Sequence, residues 1–269
     1  MGRSTADAHL LLRAQVGGDK RDAFSTLPRA AIPNNLSGTD LGRLRVAVSA
    51  DLGCAPLDPT IATLFRDRVR QFGHVFREVQ ERSPDMAQIH ETFETLRGVH
   101  YVAAYGELLL KRRELLGRNV IDNTERGFKL SVADISRACA NQTKIYQQFL
   151  KLFDHVELLI CPAAAVSPFA HRDSWVKWID GQELPTYMSW LAISYAPTMA
   201  LACVAVLPCG SDQAGMPFGI QLIGPKDSDA HVLEVAYALE QVLAEHAQTA
   251  RPSPHKRTPG RNRFATVSE

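Results

Sequence analysis

Several things are scarce in this sequence, and each scarcity excludes a class of protein. Long apolar runs are the first. The longest, Ala196–Leu207, has twelve residues and a proline in second place, whereas a membrane-spanning helix takes about 20. It reads instead as a buried strand or core segment. A surplus of charge of one sign is the second. With 30 basic and 29 acidic residues and a net charge of +1, the chain has no overall field to gather nucleic acid or an anionic membrane. Cysteine is the third. The five cysteines, Cys54, Cys139, Cys161, Cys203 and Cys209, are odd in number and widely spaced. They contain no Cys-x-x-Cys and no zinc-like Cys/His cluster, so neither a disulfide framework nor a metal centre is expected. Most lie in apolar runs and read as buried, inert thiols. The N-terminal MGRSTADAHLLL has Asp7 where a secretory signal would be apolar, and only three leucines follow. The cytoplasm is the expected compartment.

What is present is the material of a soluble α/β domain, 45% hydrophobic and 22% charged over 269 residues, with ample length for a core. Helical periodicity appears over residues 4–16, from Asp58-Pro59 to Gly73, over 85–116, from Ser131 to Phe153, and over 229–246. Strands are expected at 44–49, 75–79, 156–161, 203–207 and 218–223, the last two adjacent and joined by the turn-rich 208–217. Strand, helix, strand over 44–79 predicts a parallel βαβ pair. Residues 117–130 read as a polar loop, 162–184 as a longer loop, and 184–195 as a short helix. The architecture is a sheet of buried strands with helices on both faces. The Pro/Arg-rich tail from residue 246 reads as disordered.

Catalytic motifs are the fourth scarcity. There is no P-loop, G-x-G-x-x-G, H-E-x-x-H or G-x-S-x-G. Ser174 and Lys177 have the spacing of a serine and its lysine base, but the companion motifs of that arrangement are missing. His171-Arg172-Asp173 is a titratable cluster in a loop between strands, where α/β folds often place sites; a solvated charge cluster is the plainer reading. His90 and His100 have no partner at ligand spacing. Ser194 and Tyr195 could line a pocket or simply pack. The residues by themselves contain no catalytic constellation.

Four stretches resemble one family. Arg3–Ala8, with its leucines and Gly17-Gly18-Asp19, is similar to the "aRtvaDaalll…aG.D" helix of the amidase signature enzymes, serine-dependent amide hydrolases. LRVAVSADLGCAPLDP (44–59) resembles their "lriavs.dlg..pvdp", with Glu157 where the third pattern, "fd.yDvlLaPvapvpAfpH" against 153–171, has an aspartate. LPCGSDQAGMPFGIQLIGPKDSDAHVLEVAYALE (207–240) resembles "vPcG.t..GlPvGvQivGp...D..lL.la..lE". Its glycines and prolines turn the backbone between two buried strands. Before "vP.G", Leu201–Val204 lacks the family's proline. The likeness is closest to general bacterial amidases that carry "AfpH" and a tryptophan, here Trp190, before the final strands.

The resemblance covers about residues 1–245 and implies an incomplete amidase-signature fold, a mixed β-sheet with helices on both faces. The family's nucleophilic serine, its second serine on a cis peptide, its lysine base and its oxyanion hole lie upstream of the "aRtvaDaalll" helix. The N-terminal catalytic half is therefore expected to be absent here, and no catalytic residue carries over. From their position Trp190 and Tyr195 are expected to contact substrate. No metal or organic cofactor is implied. The implied partners are a small-molecule amide, if another half completes the site, and a homo- or hetero-oligomer. The alternative is a non-catalytic subunit that retains this lobe. A chain cut from a larger sheet should also expose apolar strand edges and faces.

Overall fold

The computed structural model describes residues 1–253 except Phe24, Thr26 and Leu27. Residues 254–269, most of the expected disordered tail, lie outside the described residues. The strands are β1 (Arg45–Val48), β2 (Glu78–Glu81), β3 (Leu158–Pro162), β4 (Trp178–Ile179), β5 (Gln182–Glu183), β6 (Cys203–Ser211) and β7 (Pro217–Gly224). The helices are α1 (Thr5–Gln15), α2 (Pro59–Phe72), α3 (Ile89–Lys111), α4 (Arg118–Phe128), α5 (Val132–Phe153), α6 (Ala192–Met199) and α7 (Asp229–Ala244). The main sheet has the order β2-β1-β3-β7-β6. β1 runs parallel to β2 and β3, while β7 is antiparallel to both β3 and β6. The expected mixed sheet and the βαβ unit are both present. Among the described residues no helix is long and apolar enough to cross a membrane.

Alternation along the strands builds two cores. Val46, Leu158, Ile160, Ile220 and Leu222 face one way, against Phe65 and Phe72 of α2 and Val235 and Leu239 of α7. Ala47, Leu159, Cys161 and Ile223 face the other way, against Ile145 and Phe149 of α5 and Ile193 and Ala196 of α6. Helix starts follow local chemistry. The Asp58 side chain accepts from the Thr60 amide at 2.8 Å, with Pro59 in the first turn, and Ser131 and Asp134 form a reciprocal capping box.

Four expectations are corrected. The strand expected at 75–79 is displaced to Glu78–Glu81, because α2 closes at Gly73 as expected but a 3-10 turn, Gly73–Val75, follows it before the chain extends. The polar loop expected at 117–130 is mostly helix α4. Its inward residues are Asn123 and Thr124, whose side chains bond the Asn119 and Val120 carbonyls of their own helix, so the buried face carries no apolar period. Glycine lets α4 touch α3: a Cβ at Gly127 would overlap the Gly98 carbonyl oxygen. Within the loop expected at 162–184, β4 and β5 form a hairpin closed by Asp180 and Gly181, at φ 49° and 73°. The helix expected over 184–195 begins as a 3-10 turn at Ser189–Leu191, and its α-helical part runs from Ala192 through Pro197 to Met199.

Two contacts tie distant segments together. Glu157, just ahead of β3, accepts from the Arg45 amide at 2.7 Å and from its guanidinium. The Arg45 side-chain bond holds the Glu157 carboxyl below its ordinary value of 4.5, against the opposing effect of burial. At the far end of β6, Gly210 has φ 81°, and a Cβ there would collide with the Gln248 carbonyl oxygen. The segment after α7 packs at this point, with the buried Thr249 hydroxyl donating to Leu243 at 2.7 Å.

Gly210→Ala is expected to cost about 2–4 kcal/mol, which would lower the melting temperature by roughly 5–15 °C; thermal unfolding measures it. A carboxyl with a depressed pKa stabilises the fold above its unfolded pKa and loses that contribution as pH falls through the folded one. The stability gap between the wild type and Glu157→Gln should therefore be full above about pH 4.5 and close at lower pH in denaturant titrations.

Candidate functional site

The carboxyl ends of the parallel strands β1 and β3 meet the β6–β7 turn at one end of the sheet, where α/β folds gather ligands. A pocket of about 180 Å³ opens there. Ile61 of α2, Val166, Trp190 and Phe218 form its apolar walls, and Ser167 and Asp212 its polar side. The Ser167 hydroxyl donates to Asp212 Oδ2 at 2.6 Å, while Oδ1 accepts from the Ala214 and Met216 amides at 2.9 and 2.8 Å. Burial pushes the Asp212 carboxyl up, but the Ser167 hydroxyl and these two amides outweigh it and hold it below the usual range. The Trp190 indole is set edge-to-face on Phe169 with centroids 5.5 Å apart.

Tyr195 is turned elsewhere. It is buried on α6 and is not among the residues that line this pocket. Its ring stacks on Phe93 of α3 at 3.8 Å. His90 bridges the Tyr195 hydroxyl, 2.5 Å from Nδ1, and the Cys54 carbonyl, 3.0 Å from Nε2. A carbonyl can only accept, so Nε2 carries the proton and Nδ1 accepts from the Tyr195 O–H. Burial raises the Tyr195 hydroxyl and pushes the Cys54 thiol up to about 12. Neither is an activated nucleophile, and both His90 nitrogens are engaged.

The orientation of α6 depends on one glutamine. Pro197 has no N–H, so the carbonyl of Ile193, four residues earlier, lacks its helical partner. Gln221 of β7, 5% exposed, donates Nε2 to that carbonyl at 3.0 Å and to the Pro162 carbonyl of β3 at 3.0 Å. The side chain thereby ties α6 to two strands. Sequence reasoning matched this glutamine to a motif but not to this role. The signal available was a proline inside an otherwise helical segment, facing a strand that carries one buried amide.

A wider, open cleft of about 1210 Å³ lies between the start of α4 and residues 172–178. Arg172, Asp173, Ser174 and Lys177 line it, with Trp175 and Tyr187. Ser174 and Lys177 are both exposed and form no hydrogen bond with each other. Tyr187 is held from behind, its hydroxyl accepting from Arg97 at 2.8 Å and Asn123 at 2.9 Å. His171, His100 and Ser194 are exposed. Among the described residues there is no group of three potential metal ligands.

The comparisons with known proteins agree with this fold. The family profile described as Amidase matches residues 1–233, and the chain belongs to that family. An acylamidase of Rhodococcus erythropolis is 25% identical over 243 residues, covering 89% of this chain and 51% of that protein. A glutamyl-tRNA(Gln) amidotransferase subunit of Geobacter metallireducens is 24% identical over 278 residues, covering 92% and 55%, so identity does not separate the two kinds of relative. The crystal structure of a bacterial aryl acylamidase of the amidase signature family superposes with a TM-score of 0.77 at 20% identity, over 89% of this chain and 51% of that one. The chain spans about half the length of the curated relatives it matches. Its mixed α/β fold is that of the amidase signature enzymes.

Gln221→Leu leaves two buried carbonyls without a donor and is expected to cost about 2–4 kcal/mol, whereas Ser194→Ala should stay within about 0.5 kcal/mol. Equilibrium denaturation of both variants measures the contrast.

Proposed function

We propose that this chain forms the C-terminal part of an amidase, hydrolysing carbon–nitrogen bonds of a small-molecule amide, and that it is inactive alone. The observation that carries the reading is the Trp190 pocket, set at the strand ends between the β3 exit loop and the motif-bearing β6–β7 turn. Trp190 and Phe218 would receive an apolar substituent of the amide. Tyr195 would act from behind, holding α6 against His90 and Phe93. The five free thiols suit a reducing, cytoplasmic setting.

Hydrolysis itself needs an activated nucleophile and aimed oxyanion donors, and one such donor is worth about 3–4 kcal/mol. The described residues hold no such assembly. The thiols of Cys54, Cys161 and Cys209 are raised by burial, and the Ser49 and Ser83 hydroxyls bond each other at 2.7 Å. The serine, the lysine base and the oxyanion donors that the family resemblance implies would come from outside this chain. The same observation supports a second reading, a non-catalytic subunit that retains the lobe.

Purified alone, the chain should hydrolyse no anilide above background; hydrolysis abolished by a serine-directed covalent inhibitor would overturn this. A chimera separates the two readings. The half of the Rhodococcus erythropolis acylamidase that this chain does not match is joined ahead of Met1. Inhibitor-sensitive anilide hydrolysis supports the amidase reading, and Trp190→Ala in that chimera should raise KM by roughly 10-fold or more. A folded but inert chimera supports the non-catalytic reading.

A further inference from the structure

The wide cleft beside α4 plays no part in the amidase reading, and no residue lines both it and the Trp190 pocket. At about 1210 Å³ it exceeds most small-molecule sites, which span about 300–1,000 Å³. One wall is the segment 172–178, which brings the Arg172-Asp173 pair of the sequence to the cleft. The other is α4 with Thr186 and Tyr187. That second wall is held from α3. The Glu94 carboxylate accepts from the Thr186 hydroxyl at 2.8 Å and from the Arg126 guanidinium at 2.9 Å. The Tyr187 ring is fixed through its hydroxyl, which accepts from Arg97 and from the buried Asn123.

The charges of the cleft do not balance. Four cations line it, Arg118, Arg126, Arg172 and Lys177. Two of them have a carboxylate at hand: Glu94 pairs with Arg126, and Asp122 lies 3.9 Å from Arg118. Arg172, Lys177 and Asp173 are exposed and form no ion pair among the described residues. Two unengaged cations thus stand against one unengaged carboxylate, a surplus of one positive charge. That surplus is too small for a polyanion such as nucleic acid and matches a ligand with a single negative charge.

Aromatic rings stand among these charges. Trp175 packs on the core, while Trp178 of β4 is left 57% exposed. Among the described residues no cation sits over the face of either indole; the cation–π contacts belong to Arg97, over Phe93, Tyr101 and Tyr187. A flat, singly charged anion answers both features, because its ring stacks on an indole and its charge meets the free cations.

From these observations we infer that the cleft is a second ligand site, separate from the Trp190 pocket, and that it takes a small aromatic monocarboxylate. The carboxylate meets Arg172 and Lys177, and the ring lies on Trp178. The planar fork of an arginine matches a carboxylate in particular. The site needs no catalytic residue and stands whether or not the chain belongs to an active amidase.

Isothermal titration calorimetry of the full chain with naphthoate tests this, beside two matched controls. Naphthamide keeps the ring without the charge, and decahydronaphthoate keeps the charge without the flat ring. Naphthoate is expected to bind roughly 10-fold or more tighter than either. Arg172→Gln with Lys177→Gln should abolish the preference for acid over amide. Trp178→Ala should weaken naphthoate binding by roughly 5-fold or more and erase its advantage over decahydronaphthoate. All three side chains are exposed, so the variants should keep the wild-type circular dichroism spectrum; if one of them unfolds, the other decides. Three results overturn the inference: no heat of binding at millimolar naphthoate, equal affinity for naphthoate and either control, or an affinity indifferent to the substitutions, which would seat the acid elsewhere. Anilide hydrolysis has no part in this readout, so failure of the amidase reading leaves the site standing.

Discussion

One buried amide sets the geometry on which the site depends. Pro197 deprives the Ile193 carbonyl of its helical donor, and a buried carbonyl without a partner costs about 1–3 kcal/mol. Gln221 supplies the missing donor from β7 and reaches the Pro162 carbonyl of β3 as well. A helix bound in this way cannot rotate on the sheet. Its Tyr195 is committed to His90 and Phe93, and the turn that precedes it carries Trp190 to the strand ends. The wall of the pocket and the packing of the core beneath it thus share one constraint.

Around that constraint the described residues assemble a pocket and hold no activated nucleophile. The polar side chains described above are committed to structure: Asp212, in the pocket, to Ser167 and two turn amides, His90, behind α6, to Tyr195 and Cys54, and Tyr187, in the wider cleft, to Arg97 and Asn123. Such groups fix shape. Amide hydrolysis also demands a deprotonated nucleophile and converging donors.

Much of the fold was legible in the sequence because its periods are strong. β1, α2, β3, the β6–β7 pair and α7 carry apolar residues at strand or helix spacing. Three elements were hidden for definite reasons. The inward face of α4 is polar, with Asn123 and Thr124 satisfied inside their own helix. The β4–β5 hairpin is two residues per strand, too short for a period, although Asp180-Gly181 marks its turn. β2 was misplaced because a 3-10 turn, Gly73–Val75, with no periodic signal of its own, follows the helix that Gly73 closes. Of the candidate site, Trp190 was legible from its place before the final strands. Ser167 and Asp212, 45 residues apart, were not, because nothing local connects them.

Local chemistry therefore determined where the chain turns, which faces are apolar and which family it belongs to. It also determined what the chain lacks, since a missing motif is visible without any fold. Tertiary structure alone decided which side chains meet. Whether Tyr195 or Trp190 faces the pocket depends on how α6 lies on the sheet, and that is set by a hydrogen bond between residues 28 positions apart. Tertiary structure likewise leaves Val204 and Val206 of β6 exposed, because a strand's own residues specify what it can bury and its neighbours decide what is buried.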